Sequence, residues 1–400
     1  MADAVVVGAG IGGLAVAGAL ARRGWDVTLI ERGERLRADR AALLLWPSAL
    51  AALRELGLGD GLDAIAYPVA SSGIRRPDGN WLVRAEELAG AETPLVVHRE
   101  DLHDALIAGL TDRVDIRTGV SVRTLGASGS RRPTVGDGTS SWDADVVIAA
   151  DGVDSVIRRR LAPDATVVSA GCTAWRAVIP WFRAVDLADR LDRLPTGGLA
   201  GETLGAGHRF RYASLGTRGS AGESRRGGIY WAATVPGATR PESAAAQIDL
   251  LRRRFADWHA PIGDLIAATD PDDLIQHSVN ELWPLPGAFA FHAGGGGYAL
   301  LGDAAHAMAH HLSQGAGLAL DDAAALVRLL GQQPVPAALD AYTQERRPAV
   351  LRVGRQSRRV GAVLSASRVS VARTRDAALG LAPGLMGRAT GAIRQLRRSS

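Results

Sequence analysis

Val5-Val6-Val7-Gly8-Ala9-Gly10-Ile11-Gly12-Gly13-Leu14 stands near the start of the chain, and Asp26-Val27-Thr28-Leu29-Ile30-Glu31 follows it. An apolar run ending in glycines, helical spacing from Leu14 to Arg23, and a second apolar run ending in an acid form the pattern of a dinucleotide-binding βαβ unit. Gly8 suits the tight turn, Gly10 lets a pyrophosphate approach the backbone, and Gly12 and Gly13 let the helix pack closely. The cofactor's phosphates are therefore expected at Gly8, Gly10, Gly12, Gly13 and Leu14. The glycine pattern alone is weak; Glu31, 18 positions after Gly13, strengthens it by offering a carboxylate to the ribose hydroxyls.

Working outward, Pro47 to Leu56 reads as a helix, with Pro47 in its first turn and Gly57 just past its end. Short apolar runs between Ile65 and Val83, broken by Gly73, Pro77 and Asp78-Gly79, suggest hairpin strands inserted between nucleotide-binding elements. Arg99 to Leu110 returns to helical spacing. Strands are then expected near Val114 to Thr118, Val120 to Leu125 and Ala144 to Ala150. From Cys172 to Phe291 aromatic and β-branched runs predict a mainly antiparallel sheet, the candidate substrate domain. The buried-strand pattern resumes at Tyr298 to Asp303, and a long apolar helix runs from Gly315 to Leu330, entered through Ser313 and Gln314.

The predicted fold class is therefore α/β. A discontinuous nucleotide domain (1–70, 95–170 and 295–345) carries an inserted mainly antiparallel sheet domain (71–94 and 171–294), followed by a helical, Arg-rich segment at 346–400.

Composition excludes several chemistries. Hydrophobic residues make up 47% and charged residues 22% of the 400, the balance of a compact globular protein. All 46 basic side chains are arginine, so Schiff-base and P-loop mechanisms that need lysine are ruled out. A net charge of +4 with both signs dispersed does not suggest a nucleic-acid partner. Cys172 is the only cysteine, which excludes an intrachain disulfide, a CxxC redox pair and a thiolate cluster. No membrane span or export signal is expected, and a cytoplasmic monomer or homodimer fits.

FAD and NAD both satisfy the first fingerprint. Two further segments bear on the choice: Asp145-Val146-Val147-Ile148-Ala149-Ala150-Asp151-Gly152-Val153-Asp154-Ser155-Val156-Ile157-Arg158, and Leu301-Gly302-Asp303-Ala304-Ala305-His306. With the first motif, and in this order, they resemble the three fingerprints of the p-hydroxybenzoate hydroxylase-like, group A flavoprotein monooxygenases, and the resemblance runs to about Arg347. It implies a Rossmann-type FAD domain, with Asp303 on the ribityl chain and Asp151 and Gly152 at the FAD and NAD(P)H sites. Ser155 and Asp154 would equally suit a helix cap. The resemblance also implies that Arg99 contacts FAD and that Arg40 precedes a segment passing the flavin, while Arg32 adjoins the adenosine. Gln314, Gly315 and Ala316 would aim a helix N-terminus at the flavin pyrimidine edge, where partial positive charge favours the reduced anion.

The implied activity is NAD(P)H-driven insertion of one atom of O2 into an aromatic or polyketide-like small molecule through a flavin C4a-hydroperoxide, with NADPH or NADH as a transient co-substrate. Epoxidation, Baeyer–Villiger insertion and a non-oxygenating flavoprotein reductase share the same motifs. Related halogenases use an active-site lysine, which this chain lacks. One departure stands out: Ala307-Met308-Ala309-His310-His311-Leu312 replaces a segment in which the family carries proline. His310 and His311 either bond backbone and water, or orient the substrate and accept a phenolic proton. His306 and His310 have helical spacing, but no accompanying carboxylate motif, so no metal site is expected. Arg176, Tyr212, Tyr230 and Trp231 are candidates to line the pocket.

Overall fold

The structure is a computed structural model, and it describes residues 2–59, 61–69, 73–84, 94–126, 132–184, 187, 200–216, 226–237, 243–365 and 367–381. Its centre is a six-stranded sheet in the order β18-β19-β12-β1-β2-β8. Strands β1 (Asp3–Val7), β2 (Asp26–Ile30), β8 (Val114–Arg117), β12 (Val146–Ala149) and β19 (Gly296–Leu300) run parallel. Val5, Val6, Val146, Val147, Ile148 and Leu300 are all but sealed from solvent, as expected where helices cover both faces of a parallel sheet. Helices Ile11–Arg22 and Gly315–Leu330 share that core.

The sixth strand, β18 (Ala290–Ala293), corrects the expected boundary. It pairs antiparallel with β19 and is the edge of the nucleotide sheet, whereas the sequence places it in the inserted segment. A short loop returning directly into β19 permits that pairing. The expected strand over Val120 to Leu125 is also shorter. Only β9 (Thr124–Leu125) forms, in a small antiparallel sheet with β10 (Thr134–Gly136) and β11 (Ser141–Asp143). The preceding amides are committed elsewhere: Gly119 donates to Gly33 and Val120 to Glu31, at 2.9 and 3.0 Å, so they brace the turn after β2.

β4 (Ala66–Pro68) likewise does not pair with either of the two described strands that follow it directly. It flanks β7 (Leu95–His98), whose other neighbour is β3 (Ala42–Leu45). β5 (Ile74–Arg75) and β6 (Trp81–Val83) do pair with each other, at the edge of a seven-stranded sheet.

That second sheet has the order β17-β13-β16-β15-β14-β5-β6. Its body is antiparallel: β13 (Val167–Ile179), β14 (Ala200–Leu204), β15 (Arg209–Ser214), β16 (Ile229–Pro236) and β17 (Ile275–Leu282). One face packs on helices Ala244–Arg254 and Ile262–Ala267 through Trp175, Phe210, Tyr212 and Trp231. Phe210 and Trp231 stack at 5.3 Å. The buried indole donors are satisfied, Trp175 on Gln247 and Trp231 on Thr269, at 3.0 and 2.8 Å. Beyond Pro334 a single helix runs Val335–Leu364, straight through the expected boundary at 345, and Val369–Leu381 follows. The Arg-rich end, 382–400, lies outside the described residues.

Candidate active site

The glycine turn between β1 and the first helix divides by function. Gly8 has φ +102°, and a Cβ there would stand 2.3 Å from the Ala150 carbonyl. A Cβ on Gly13 would meet the Gly8 carbonyl at 1.9 Å, and one on Gly12 would meet Leu301 at 2.5 Å. These three glycines are demanded by the protein's own packing. Gly10 is different, because nothing lies within 4 Å of a Cβ built on it. Its open face is where a ligand can approach the backbone. Leu14 supports the turn from behind, its side chain fully buried and its amide on the Gly10 carbonyl at 2.9 Å.

Glu31 braces this turn. Its two oxygens accept the amides of Ala9 and Gly33, each at 2.8 Å, and each keeps a further lone pair for a hydroxyl donor. His103, buried on helix Arg99–Ala108, donates from Nε2 to the Ala9 carbonyl at 3.0 Å. The Ala9 peptide is thus pinned on both sides, and no pattern in the sequence marks His103 for that task. Arg32 and Arg40 are exposed; Arg40 pairs with Asp273. Arg99 and Arg176 share Asp39, each at 3.2 Å.

Asp151 accepts the Val156 amide at 2.8 Å, and Ser155 caps the same helix by accepting from Arg158 at 2.9 Å. The other oxygen of Asp151 is buried without a hydrogen-bond partner among the described residues, and burial raises the pKa of the carboxyl. Gly152 has φ +80° and open space before it. Arg158 is almost wholly buried and donates to the Val153 and Ala304 carbonyls at 2.7 and 3.3 Å, tying this segment to the Gly302-Asp303 turn. Asp303 begins the short helix Asp303–His306, and its exposed carboxylate is free of protein partners among the described residues.

Ser313 sits at φ 52°, unusual for a residue other than glycine, and launches helix Gly315–Leu330. No side chain caps that N-terminus, and nothing lies within 4 Å of a Cβ built on Gly315. The first-turn amides at Gln314, Gly315 and Ala316 have no carbonyl one turn back to accept them.

The second sheet turns its other face toward this loop. Opposed pairs across an antiparallel sheet share a face, so Glu202, Arg211, Ala232 and Arg176 form one row, and Arg209, Thr234, Ala174 and His277 the next. Glu202 pairs with Arg209 at 2.5 Å. Arg211 donates to Ser313 Oγ at 2.8 Å and to the His310 carbonyl at 3.4 Å, and among the described residues no carboxylate forms an ion pair with it. Burial, with Arg209 close by, brings its pKa down to about 10. His310 Nε2 lies 3.0 Å from Thr234 Oγ1, and His277 packs edge-on to it at 6.3 Å. The His311 ring instead lies against Gly361 on the C-terminal helix. Burial and the neighbouring arginines hold His310 well below the ordinary histidine value and His277 and His311 at about 4, so all three are neutral near pH 7.

Of the aromatic candidates, Tyr230 shares the face of Arg176, whereas Tyr212 and Trp231 point into the opposite core. Alternation along each strand decides this, and nothing in the sequence says which alternate set faces the cofactor. Glu202, Arg209, Arg211, Thr234 and His277 escaped the sequence reading for that reason. Among the described residues no three His, Cys, Asp or Glu side chains gather as a metal site.

The open faces at Gly10, Gly152 and Gly315, the free Asp303 carboxylate and the uncapped helix fit an extended dinucleotide such as FAD, lying from β1 toward the second sheet. A Rossmann-type sheet joined to an antiparallel sheet with a polar inner face is the architecture of a flavoprotein. The chain belongs to the FAD-binding family of aromatic monooxygenases: the family described as "FAD binding domain" matches residues 1–208 and 264–357. It is 33% identical over 372 residues to the 2-heptyl-3-hydroxy-4(1H)-quinolone synthase of Pseudomonas aeruginosa, across 89% of this chain and 88% of that one. It is 31% identical over 384 residues to 6-hydroxynicotinate 3-monooxygenase of Bordetella bronchiseptica, across 88% and 89%. Klebsiella pneumoniae HpxO, complexed with FAD and uric acid, matches with a TM-score of 0.77 and 25% identity over 95% and 92% of the two chains. The chain is an FAD-dependent monooxygenase of the p-hydroxybenzoate hydroxylase-like fold.

Proposed function

We propose that this enzyme uses NAD(P)H and O2 to oxygenate a small aromatic or polyketide-like molecule that carries an acidic or strongly accepting oxygen. The observation that carries this is Arg211, a half-buried cation on the sheet face that meets the loop at His310 and Ser313, with no carboxylate in an ion pair with it among the described residues. Burial makes such a cation costly, and a substrate anion beside it would lower that cost.

FAD when bound supplies the redox chemistry, accepting reducing equivalents from NAD(P)H and delivering one oxygen atom of O2. The chain's own residues hold and orient. The open backbone at Gly10, in the turn that Gly8, Gly12 and Gly13 shape, would take the pyrophosphate, Glu31 the ribose and Asp303 the ribityl hydroxyls. The amides of Gln314, Gly315 and Ala316 would meet the flavin's electron-rich edge, which gives the reduced ring an electrostatic partner without any lysine. Arg211 would take the substrate oxygen, with Arg176 and Tyr230 along the same face.

His310 stands on the sheet side of the loop and His311 on the helix side, which supports giving the substrate-orienting role to His310. Neutral and joined to Thr234, it would accept a phenolic proton as a weak base, since burial and the arginines beside it lower its pKa. The related quinolone synthase and hydroxynicotinate monooxygenase are named for nitrogen heterocycles that bear oxygen substituents, which supports the same substrate class.

The test is substrate-stimulated NAD(P)H oxidation under ¹⁸O₂, with a panel of aromatic acids, phenols and oxo-heterocycles beside their O-methyl counterparts. Label should enter the product for the acidic members. Equal stimulation and labelling with the O-methyl compounds would sink the assignment of Arg211, and peroxide without labelled product would sink oxygenation.

A further inference from the structure

We infer that His306, Asp322 and Arg346 form a buried positioning device that sets the Gly302-Asp303 turn for FAD, an inference that rests on the placement of Asp303 at the ribityl chain. His306 and Asp322 are completely buried and Arg346 nearly so. One Asp322 oxygen accepts both the Gly302 amide at 3.1 Å and His306 Nε2 at 2.5 Å, while the other accepts Arg346 Nε at 2.7 Å. A single carboxylate therefore joins the cofactor turn, the short helix after it, the helix that begins at Gly315, and the C-terminal helix.

Arg346 also reaches the Leu318 carbonyl at 3.4 Å, and Tyr342, one turn earlier, donates to the Leu300 carbonyl at 2.9 Å. The strand end, the turn and the helix N-terminus are thus fixed to one helix face.

Packing alone does not call for such a network. Leucines of similar volume would hold three helices together at least as well, because a buried ion pair recovers little beyond its desolvation cost. What apolar side chains cannot do is accept the Gly302 N–H. Gly302, at φ +61°, is the residue whose backbone aims Asp303 outward. Direction at that amide sets the position of the Asp303 carboxylate relative to Gly315, the two features expected to meet opposite parts of the cofactor. Among the described residues His306 Nδ1 has no hydrogen-bond partner, so the polar hold on its ring is the bond to Asp322, and the Phe289 ring packs beside it with its centre 5.8 Å away. The histidine acts through the turn and touches no reacting atom.

The test follows FAD release from holoenzyme on dilution, read as the rise in free flavin fluorescence. The visible circular-dichroism band of bound flavin and the far-UV spectrum are recorded beside it. His306→Ala should speed release roughly tenfold or more and shift the flavin band with the far-UV spectrum unchanged, the loss of a charge-assisted bond being of that order. His306→Gln, which can still donate to Asp322, should restore release to within about threefold of the parent and remains informative if the alanine variant does not fold. Asp303→Asn reports the cofactor placement separately. Fast release in Asp303→Asn with parental release in both His306 variants overturns the device and leaves the placement standing. Parental release in Asp303→Asn overturns the placement, and the device with it. Equal loss in His306→Ala and His306→Gln, with an altered far-UV spectrum, reduces the network to general packing and also overturns the inference.

Discussion

Replacing Arg211 by methionine removes one positive charge and little volume, and the structure gives opposite expectations for stability and catalysis. Burial and Arg209 lower the Arg211 pKa from 12.5 to about 10. Such a fall corresponds to an unfavourable charge energy of about 3 kcal/mol. Because the folded-state pKa of this cation lies below its unfolded value, the penalty is present throughout neutral pH and fades only above about 10. Two hydrogen bonds, to Ser313 and the His310 carbonyl, offset part of it. The substrate-free variant should therefore melt no lower than the parent. Catalysis should move the other way. A charge-assisted bond to a substrate oxygen contributes about 1.5–3 kcal/mol, so kcat/KM should fall roughly 10- to 150-fold for acidic substrates and far less for their O-methyl counterparts. Steady-state NAD(P)H oxidation with product quantification, beside thermal melts of the FAD-loaded protein, measures both. If kcat/KM for acidic substrates stays within about twofold of the parent, Arg211 is not the anchor. If the variant instead loses several kcal/mol of stability, the claim that the buried charge of Arg211 costs the fold more than its bonds return is wrong.

The glycines offer a sharper separation. Gly10→Ala should leave melting of the FAD-free protein nearly unchanged and abolish flavin retention, since its Cβ meets only open space; Gly8→Ala should unfold the turn, its Cβ falling on the Ala150 carbonyl in a left-handed backbone. Flavin absorbance after purification and a melt of each variant are sufficient. Acid should destabilise the fold through buried neutral histidines: with His98, His277 and His311 held at about 4 against 6.5 unfolded, stability present above 6.5 is lost as pH falls toward 4. Each should contribute up to about 1 kcal/mol per pH unit, and His98→Asn, which can still cap Glu100, should flatten that limb in urea titrations between pH 7.5 and 5. His310→Ala should lower kcat/KM severalfold more than His311→Ala; equal effects, or none on the pH profile of either, would remove His310 from the substrate site.

Sequence by itself determined the nucleotide half of this protein. The turn at Gly8 to Gly13, the acid at Glu31 and the helix from Gly315 are dictated by short-range sterics, strand hydrophobicity and terminal amides, all encoded within a few residues of where they act. Even there, His103 at the Ala9 carbonyl and Asp322 at the Gly302 amide were invisible, because each reaches its partner across a helix packing that no local pattern records. The second sheet was legible as a sheet and not as a surface. Whether Arg211 or Tyr212 is turned away from the core depends on which side of the sheet helices Ala244–Arg254 and Ile262–Ala267 cover, and only tertiary packing fixes that. Tyr212 and Trp231, attractive as aromatic pocket residues, went to the core with Phe210. The polar face was left to the arginines, Thr234 and the neutral histidines, and the site chemistry rests on that choice of side.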